Sequence, residues 1–361
     1  MPSEVKTPLF DSLRRLLYIS GQMKLALLAF SPFSRLACLI KDVLYARGVL
    51  RAAQAPLPAV SVGNISFGGT EKTPLVMELI ALLLRQGHRP ALISRGYRGA
   101  WEKGGGTLSD GRSLLGTWAQ GGDEPYMAAR RFPEAGIFVG SDKLASCLKA
   151  RDLGFTAVVL DDAFQHRRLA RDLDVVLVSP GERRPLRENV AALGRAGIIL
   201  VRRNGGAAAK DRIRASFPGA AVFDYGVTPQ SLIDLRTGGS APAAGALAGK
   251  RVFAFCGIAG PLRFLTVLRE LGADVAGSLA FPDHFAYPRA ALDRIAREFG
   301  ASGAELLVTT EKDSVKLALA GPPLDGLPLR YLRIGLDIEA GFTERVGAAL
   351  REAGAPPGGP A

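Results

Sequence analysis

Cysteine is scarce. Cys38, Cys147 and Cys256 are the only three in 361 residues, and none falls at a paired or metal-ligand spacing. That excludes a zinc motif of the usual kind and a disulfide framework, and it suits a reducing, cytoplasmic setting. Histidine is equally scarce, so imidazole chemistry is confined to His88, His166 and His284. Aromatics make up only 7% of the chain and do not alternate with the basic residues. A nucleic-acid-binding module is therefore not expected. No window reaches the roughly 18 uncharged apolar residues that a spanning helix needs. The apolar run 25–30 is short, deep in the chain and followed by Ser31-Pro32, so no secretory signal is expected either. Acidic residues are the minority charge, 34 against 46 basic, which leaves a net charge of +12. Such a surface attracts anionic membrane or polyphosphate ligands, or simply reflects arginine used on solvated faces.

What remains is the composition of a folded protein, 48% apolar and 22% charged. The length allows two domains, each with its own core. Residues 1–57 read as amphipathic helices. Leu13, Leu16, Leu17, Leu27 and Leu28 follow helical spacing with Arg14, Arg15 and Lys24 between them, and Pro32 breaks the pattern before a second helix from Phe33 to about Leu50. The segment either packs as a helical hairpin or lies on an anionic membrane surface.

From Pro58 onward short β-rich runs alternate with helical stretches, which predicts an α/β fold with a parallel sheet flanked by helices. Strands are expected at 59–63, 91–94, 137–140, 157–161, 175–179 and 198–202, with helices at 73–86 and 141–153. A small-residue stretch at 237–249 reads as a linker. It divides a first domain (58–236) from a smaller α/β domain (250–354) with strands at 251–256, 306–309 and 329–334. Residues 355–361 form a Pro/Gly tail.

The strongest chemical signal is Val62–Pro74, VGNISFGGTEKTP. It follows an expected strand and opens an expected helix, the setting of a P-loop. Ser66, Phe67, Gly68, Gly69, Thr70, Glu71, Lys72 and Thr73 would then cradle ATP. Lys72 would meet the β- and γ-phosphates, and the Thr73 hydroxyl would ligate Mg²⁺. Ser66 stands where the first glycine is usual, and Glu71 where the last is. Glu71 is tolerable if its φ is negative and its carboxylate turns to solvent, and that outward arrangement is expected. Downstream, AVVLDD ends an apolar strand in Asp161 and Asp162, carboxylates suited to the magnesium or, alternatively, to a turn.

These pieces, with SRGY (94–97), GDEP (122–125), LDDAFQHRRLARDLDVVLV (160–178), PLRE (185–188), PDH (282–284) and TEKDSVKL (310–317), resemble the tetraacyldisaccharide 4′-kinase family along nearly the whole chain. The resemblance implies a P-loop kinase domain with a smaller C-terminal α/β domain. The implied reaction moves the γ-phosphate of Mg-ATP to the 4′-hydroxyl of a lipid-linked disaccharide 1-phosphate at the cytoplasmic face of the inner membrane. No obligate protein partner is implied. The family uses a dyad, which on this chain makes Asp123 the base and His284 its partner. Taken alone, Asp123 reads rather as an acid in a helix's first turn. Arg95, His166 and Glu188 are further site candidates, and Glu311, Lys312 and Asp313 either border nucleotide or cap a helix. His88 reads as structural. The chain departs from the family at Glu71, at Ala163 (usually Gly) and at Phe285 (usually a second His). A deviant P-loop ATPase switch, or a family member weakened by Glu71, is the alternative.

Overall fold

The computed structural model describes residues 36–41, 43–45, 47–67, 71–180, 185–317 and 323–354. Contacts gather into two compact units, described residues 36–227 with 335–354, and residues 228–334.

In the first unit, β1 (Ala59–Asn64), β2 (Pro90–Ser94), β3 (Gly106–Asp110), β4 (Gly136–Val139), β5 (Ala157–Leu160), β6 (Leu173–Val178), β7 (Ile198–Arg202) and the start of β8 (Ala221–Asp234) lie in the order β8-β7-β6-β1-β5-β2-β4-β3. All neighbours are parallel except the edge strand β3. Every residue of β1, β2 and β5 is buried, as in a parallel sheet covered on both faces. Val158 and Leu160 point into one core with Ile93 and Cys147, while Val176, Ile199 and Phe164 fill another. Helices α1 (Lys72–Arg85), α2 (Asp123–Arg131) and α3 (Lys143–Asp152) cover the sheet, α1 through Leu75, Leu79, Ile80 and Leu83.

The register matters for chemistry. β1, β5 and β2 are adjacent and parallel, so their carboxyl ends at Asn64, Leu160 and Ser94 lie side by side. In open α/β sheets that rim is where ligands bind. Gly63 permits a close approach there, because a Cβ would fall 2.4 Å from Cβ of Phe164.

In the second unit the strands run parallel in the order β10-β9-β11-β12, formed by β9 (Arg251–Cys256), β10 (Asp274–Ala280), β11 (Leu306–Thr310) and β12 (Leu329–Ile338). Alternate residues serve opposite faces. Phe253, Phe255 and Leu307 pack in one core, and Val252, Ala254 and Val308 in the other.

Several expectations need correction. The stretch 237–249 is not a bare linker: Ser240–Pro242 pairs with β8, and Ala243–Leu247 is a helix that buries Ala243 and Leu247. The helix Phe342–Glu352, expected in the smaller domain, belongs to the P-loop unit and sets Phe342 edge-on to Phe223. Strands β3, β8 and β10 were not anticipated, since their half-exposed, mixed sequences lack a clear period. The expected helix at 11–31 lies outside the described residues. Among the described residues no helix is long and apolar enough to cross a membrane.

Candidate active site

The loop after β1 is anchored from both sides. The Asn64 amide donates to the Ser66 carbonyl at 2.9 Å, and the Phe67 N–H donates to the Pro185 carbonyl at 2.8 Å. Gly68, Gly69 and Thr70 lie outside the described residues. Glu71 then caps α1 with φ 51° and ψ 30°, the left-handed region. The expectation of negative φ and a solvent-facing carboxylate is wrong. Glu71 adopts the backbone that a loop glycine would take, and its carboxylate turns inward to Arg202 at 3.2 Å and the Tyr225 hydroxyl at 3.4 Å.

Lys72 and Thr73 open α1 at the carboxyl rim. Lys72 Nζ lies 2.7 Å from Asp162 and 3.4 Å from Asn64 Oδ1. Arg187 holds the same Asp162 at 3.0 Å. Burial opposes the Asp162 charge, but Lys72 and Arg187 outweigh it and hold its carboxyl well below the usual range. Asp161 faces a different set. Its Oδ2 accepts from Ser94 at 2.9 Å, and Lys143 fixes its carbonyl at 2.7 Å. Burial pushes the Asp161 carboxyl up to about 6, and the charges of Glu124 and Asp162 push the same way.

The GDEP segment supplies Glu124. Gly122 turns into α2 with φ 88°, where a Cβ would meet the Tyr97 carbonyl at 3.1 Å. The turn buries Asp123 and lets Glu124 accept from the Thr73 hydroxyl at 2.7 Å. Thr73, Glu124, Asp161 and Ser94 line one pocket. Hydroxyl and carboxylate oxygens with surplus negative charge suit Mg²⁺. Among the described residues no three acidic, imidazole or thiol side chains close into a cage. Mg²⁺ takes one or two carboxylates and completes its shell with water and phosphate.

Known proteins resemble this chain along most of its length. The LpxK family, described as Tetraacyldisaccharide-1-P 4'-kinase, matches residues 23–351. A Tetraacyldisaccharide 4'-kinase of Anaeromyxobacter dehalogenans (strain 2CP-C) is 40% identical over 333 residues, 87% of this chain and 86% of the relative. That of Syntrophus aciditrophicus (strain SB) is 37% identical over 342 residues, 87% of this chain and 89% of the relative. The chain belongs to the tetraacyldisaccharide 4′-kinase family. A crystal structure of LpxK from Aquifex aeolicus in complex with ATP matches with TM-score 0.73 and 28% identity, over 91% of this chain and 99% of that one. The α/β class expected from the sequence is borne out by that likeness, and so is the kinase family with its use of ATP.

The other candidates of this 4′-kinase family member are placed as follows. Glu188 is 2% exposed and binds Arg195 at 2.5 Å and Gln165 at 2.9 Å. Gln165 in turn donates to the Asn64 carbonyl at 2.8 Å, so Glu188 braces the loop from below. Arg95 lies on the surface, paired with Glu102 at 2.7 Å. In the second unit, Lys312 Nζ stands 3.1 Å from Asp283 and 3.3 Å from His284 Nε2. Asp313 accepts from the Gly257 N–H at 3.0 Å and from Thr310, whose hydroxyl accepts from the Asp313 N–H at 3.1 Å, the expected cap. Glu311 binds Arg333 at 2.7 Å. Phe285 stacks on Phe281 at 4.7 Å, so the departure from the family's second histidine completes an aromatic core. The sequence did not single out Glu124, Ser94, Asn64, Gln165 or Lys143; the adjacency of Glu124 to Asp123 in GDEP was the available signal.

His166 is half-buried, and burial, then Lys143, Arg171 and Arg168, lower its pKa from 6.5 to about 4. Its imidazole is therefore neutral at pH 7. Because the folded value is depressed, its contribution to stability is complete above about 6.5 and is lost as pH falls toward 4. With three histidines in the chain, an NMR titration resolves each; the expected result is one imidazole, absent in His166→Gln, that titrates well below 6.

Proposed function

We propose that this chain transfers the γ-phosphate of ATP to the 4′-hydroxyl of a tetraacyldisaccharide 1-phosphate, giving the 1,4′-bisphosphate. The observation that carries this reading is the convergence of Thr73, Glu124 and Asp161 beside the Lys72–Asp162 pair, at the carboxyl ends of three adjacent strands. Bound magnesium would neutralise charge on the phosphates. Thr73, Asp161 and Glu124 are the side chains placed to hold it, and Asp162 positions Lys72. Lys72 meets the transferring phosphate, where fixed positive charge counts most. Arg187 keeps Asp162 charged and restrained when Lys72 turns to its ligand.

Asp123 is assigned as the base that takes the hydroxyl proton, with His284 as its partner. That pairing rests on the family resemblance; each residue lies in a different unit. Burial of Asp123 keeps water from competing for its carboxylate. The enzymatic reading is separated from an ATPase switch by acceptor dependence. ADP release should require the lipid acceptor, and equal release without it would favour the switch.

The protein is further proposed to work at the cytoplasmic face of the inner membrane as a peripheral protein. In support, Leu36, Leu39, Ile40 and Val43 are exposed at helical spacing and form one apolar stripe. The other side of this segment is held, with Cys38 against the Arg187 carbonyl at 3.7 Å and Tyr45 under Arg167 at 4.9 Å. Anionic vesicles should pull the protein down, less so as salt rises. Protein lacking residues 1–31 and carrying Leu39→Glu and Ile40→Glu should stay in solution; equal binding would assign the segment to packing alone.

A further inference from the structure

Glu71 immediately precedes the lysine of the phosphate loop. Its left-handed backbone, φ 51°, is costly for a residue with a Cβ. A left-handed residue beside right-handed ones is the backbone turn that lets successive N–H groups form an anion-binding nest. The loop thus keeps a glycine's shape while it carries a carboxylate beside the place where phosphates bind. That carboxylate needs a fixed destination, and the sheet supplies one. Arg202 ends β7, and Tyr225 is its register partner on β8, so both side chains emerge on one face of the sheet. Arg202 NH1 is 3.2 Å from Glu71 Oε1, and the Tyr225 hydroxyl donates to Oε2 at 3.4 Å. The Glu71 and Arg202 side chains are 8% and 13% exposed, and Tyr225 is fully buried.

We infer that Arg202, assisted by Tyr225, is a positioning residue for the kinase reaction: it draws the Glu71 carboxylate off the phosphate site and cancels its charge. Neither residue need touch nucleotide. The inference rests on the reading that residues 66–73 bind the phosphates of ATP. Its physical content is a charge balance. With Arg202 gone, the buried Glu71 carboxylate loses the cation that offsets its charge at 3.2 Å, competes for Lys72 and repels the polyphosphate. With both charges gone, the position regains a glycine suited to its left-handed backbone and neither charge of the pair is left buried alone, at the cost of the Tyr225 hydroxyl's 3.4 Å acceptor.

The test is a double-mutant cycle on Arg202→Ala and Glu71→Gly in the full-length protein, read as the Kd for Mg-ATP and the split between KM and kcat. Melting temperatures certify the fold of each variant, and Arg202→Gln serves if the alanine protein does not fold. Arg202→Ala should weaken ATP binding by roughly tenfold or more, as expected of an uncompensated charge at a few ångströms. Its kcat at saturating ATP should change less. Adding Glu71→Gly should return most of that loss. Folded Arg202→Ala protein with unaltered ATP affinity would overturn the inference, as would a loss that Glu71→Gly does not relieve, since Arg202 would then act on nucleotide or fold directly. Wild-type protein that binds no Mg-ATP, or whose binding survives Lys72→Ala unchanged, would instead remove the phosphate-loop reading beneath it.

Discussion

Lys72→Ala protein is expected to keep its fold and lose turnover by at least ~10²–10³, the loss that follows removal of one preorganised donor of positive potential. Phosphoryl transfer leaves little covalent work to the protein; charge and position are what it supplies. Lys72 is the first residue of α1, and its side chain is only 17% exposed. The fold should survive because α1 is held by Leu75, Leu79, Ile80 and Leu83, and Asp162 retains Arg187 at 3.0 Å. Thr73→Ala should fall similarly, since it removes a proposed magnesium ligand and leaves Glu124 without its 2.7 Å donor. Thr73→Ser, which keeps the hydroxyl, should recover much of the rate. Steady-state kinetics with a magnesium titration, beside circular dichroism, checks all three. Folded Lys72→Ala protein with near-normal turnover would refute the assignment of this loop.

Asp123→Ala is the second large effect, a loss of about 10²–10⁴ in kcat if the residue is the general base. A sugar hydroxyl is a poor nucleophile at neutral pH, and a carboxylate within reach removes its proton as the new bond to phosphorus forms. ATP affinity should be largely kept, because Asp123 is assigned to the acceptor side. His284→Ala should also lower kcat. If the two residues act as a unit, the double variant should be little slower than the slower single variant. Multiplicative losses would show independent roles, and normal kcat in His284→Ala would make that histidine structural. Within its own unit His284 faces Lys312 at 3.3 Å. Lys312→Ala is therefore a useful companion, expected to alter the pH profile of kcat rather than ATP binding.

How much of this was legible beforehand depends on what kind of signal carried it. The buried strands β5 and β7 announced themselves as apolar runs, AVVL and IILV, and the P-loop motif fixed where β1 ends and α1 begins. The edge strand β3 and the long β8 did not, because half-exposed strands mix polar and apolar residues without a clean alternation. The proposed site residues that belong to the motifs, Lys72, Thr73 and Asp161, are nameable from the sequence. Glu124 was passed over for its neighbour Asp123, since only the turn at Gly122 decides which of two adjacent acids faces Thr73. Asp162 was given to the metal, whereas its carboxylate sits with Lys72 and Arg187. The inward turn of Glu71 was beyond reach: its partners Arg202 and Tyr225 lie far along the chain and are brought together by strand register alone.

The most direct test of the central claim is the identity of the product. Purified full-length protein is incubated with Mg-ATP and tetraacyldisaccharide 1-phosphate, and the lipid is examined by phosphorus NMR and mass spectrometry. The expected product carries one additional phosphate monoester, placed on the 4′ oxygen, and forms only with ATP and protein together. ATP consumed with the lipid unchanged, or a phosphate placed on any other oxygen, would contradict it.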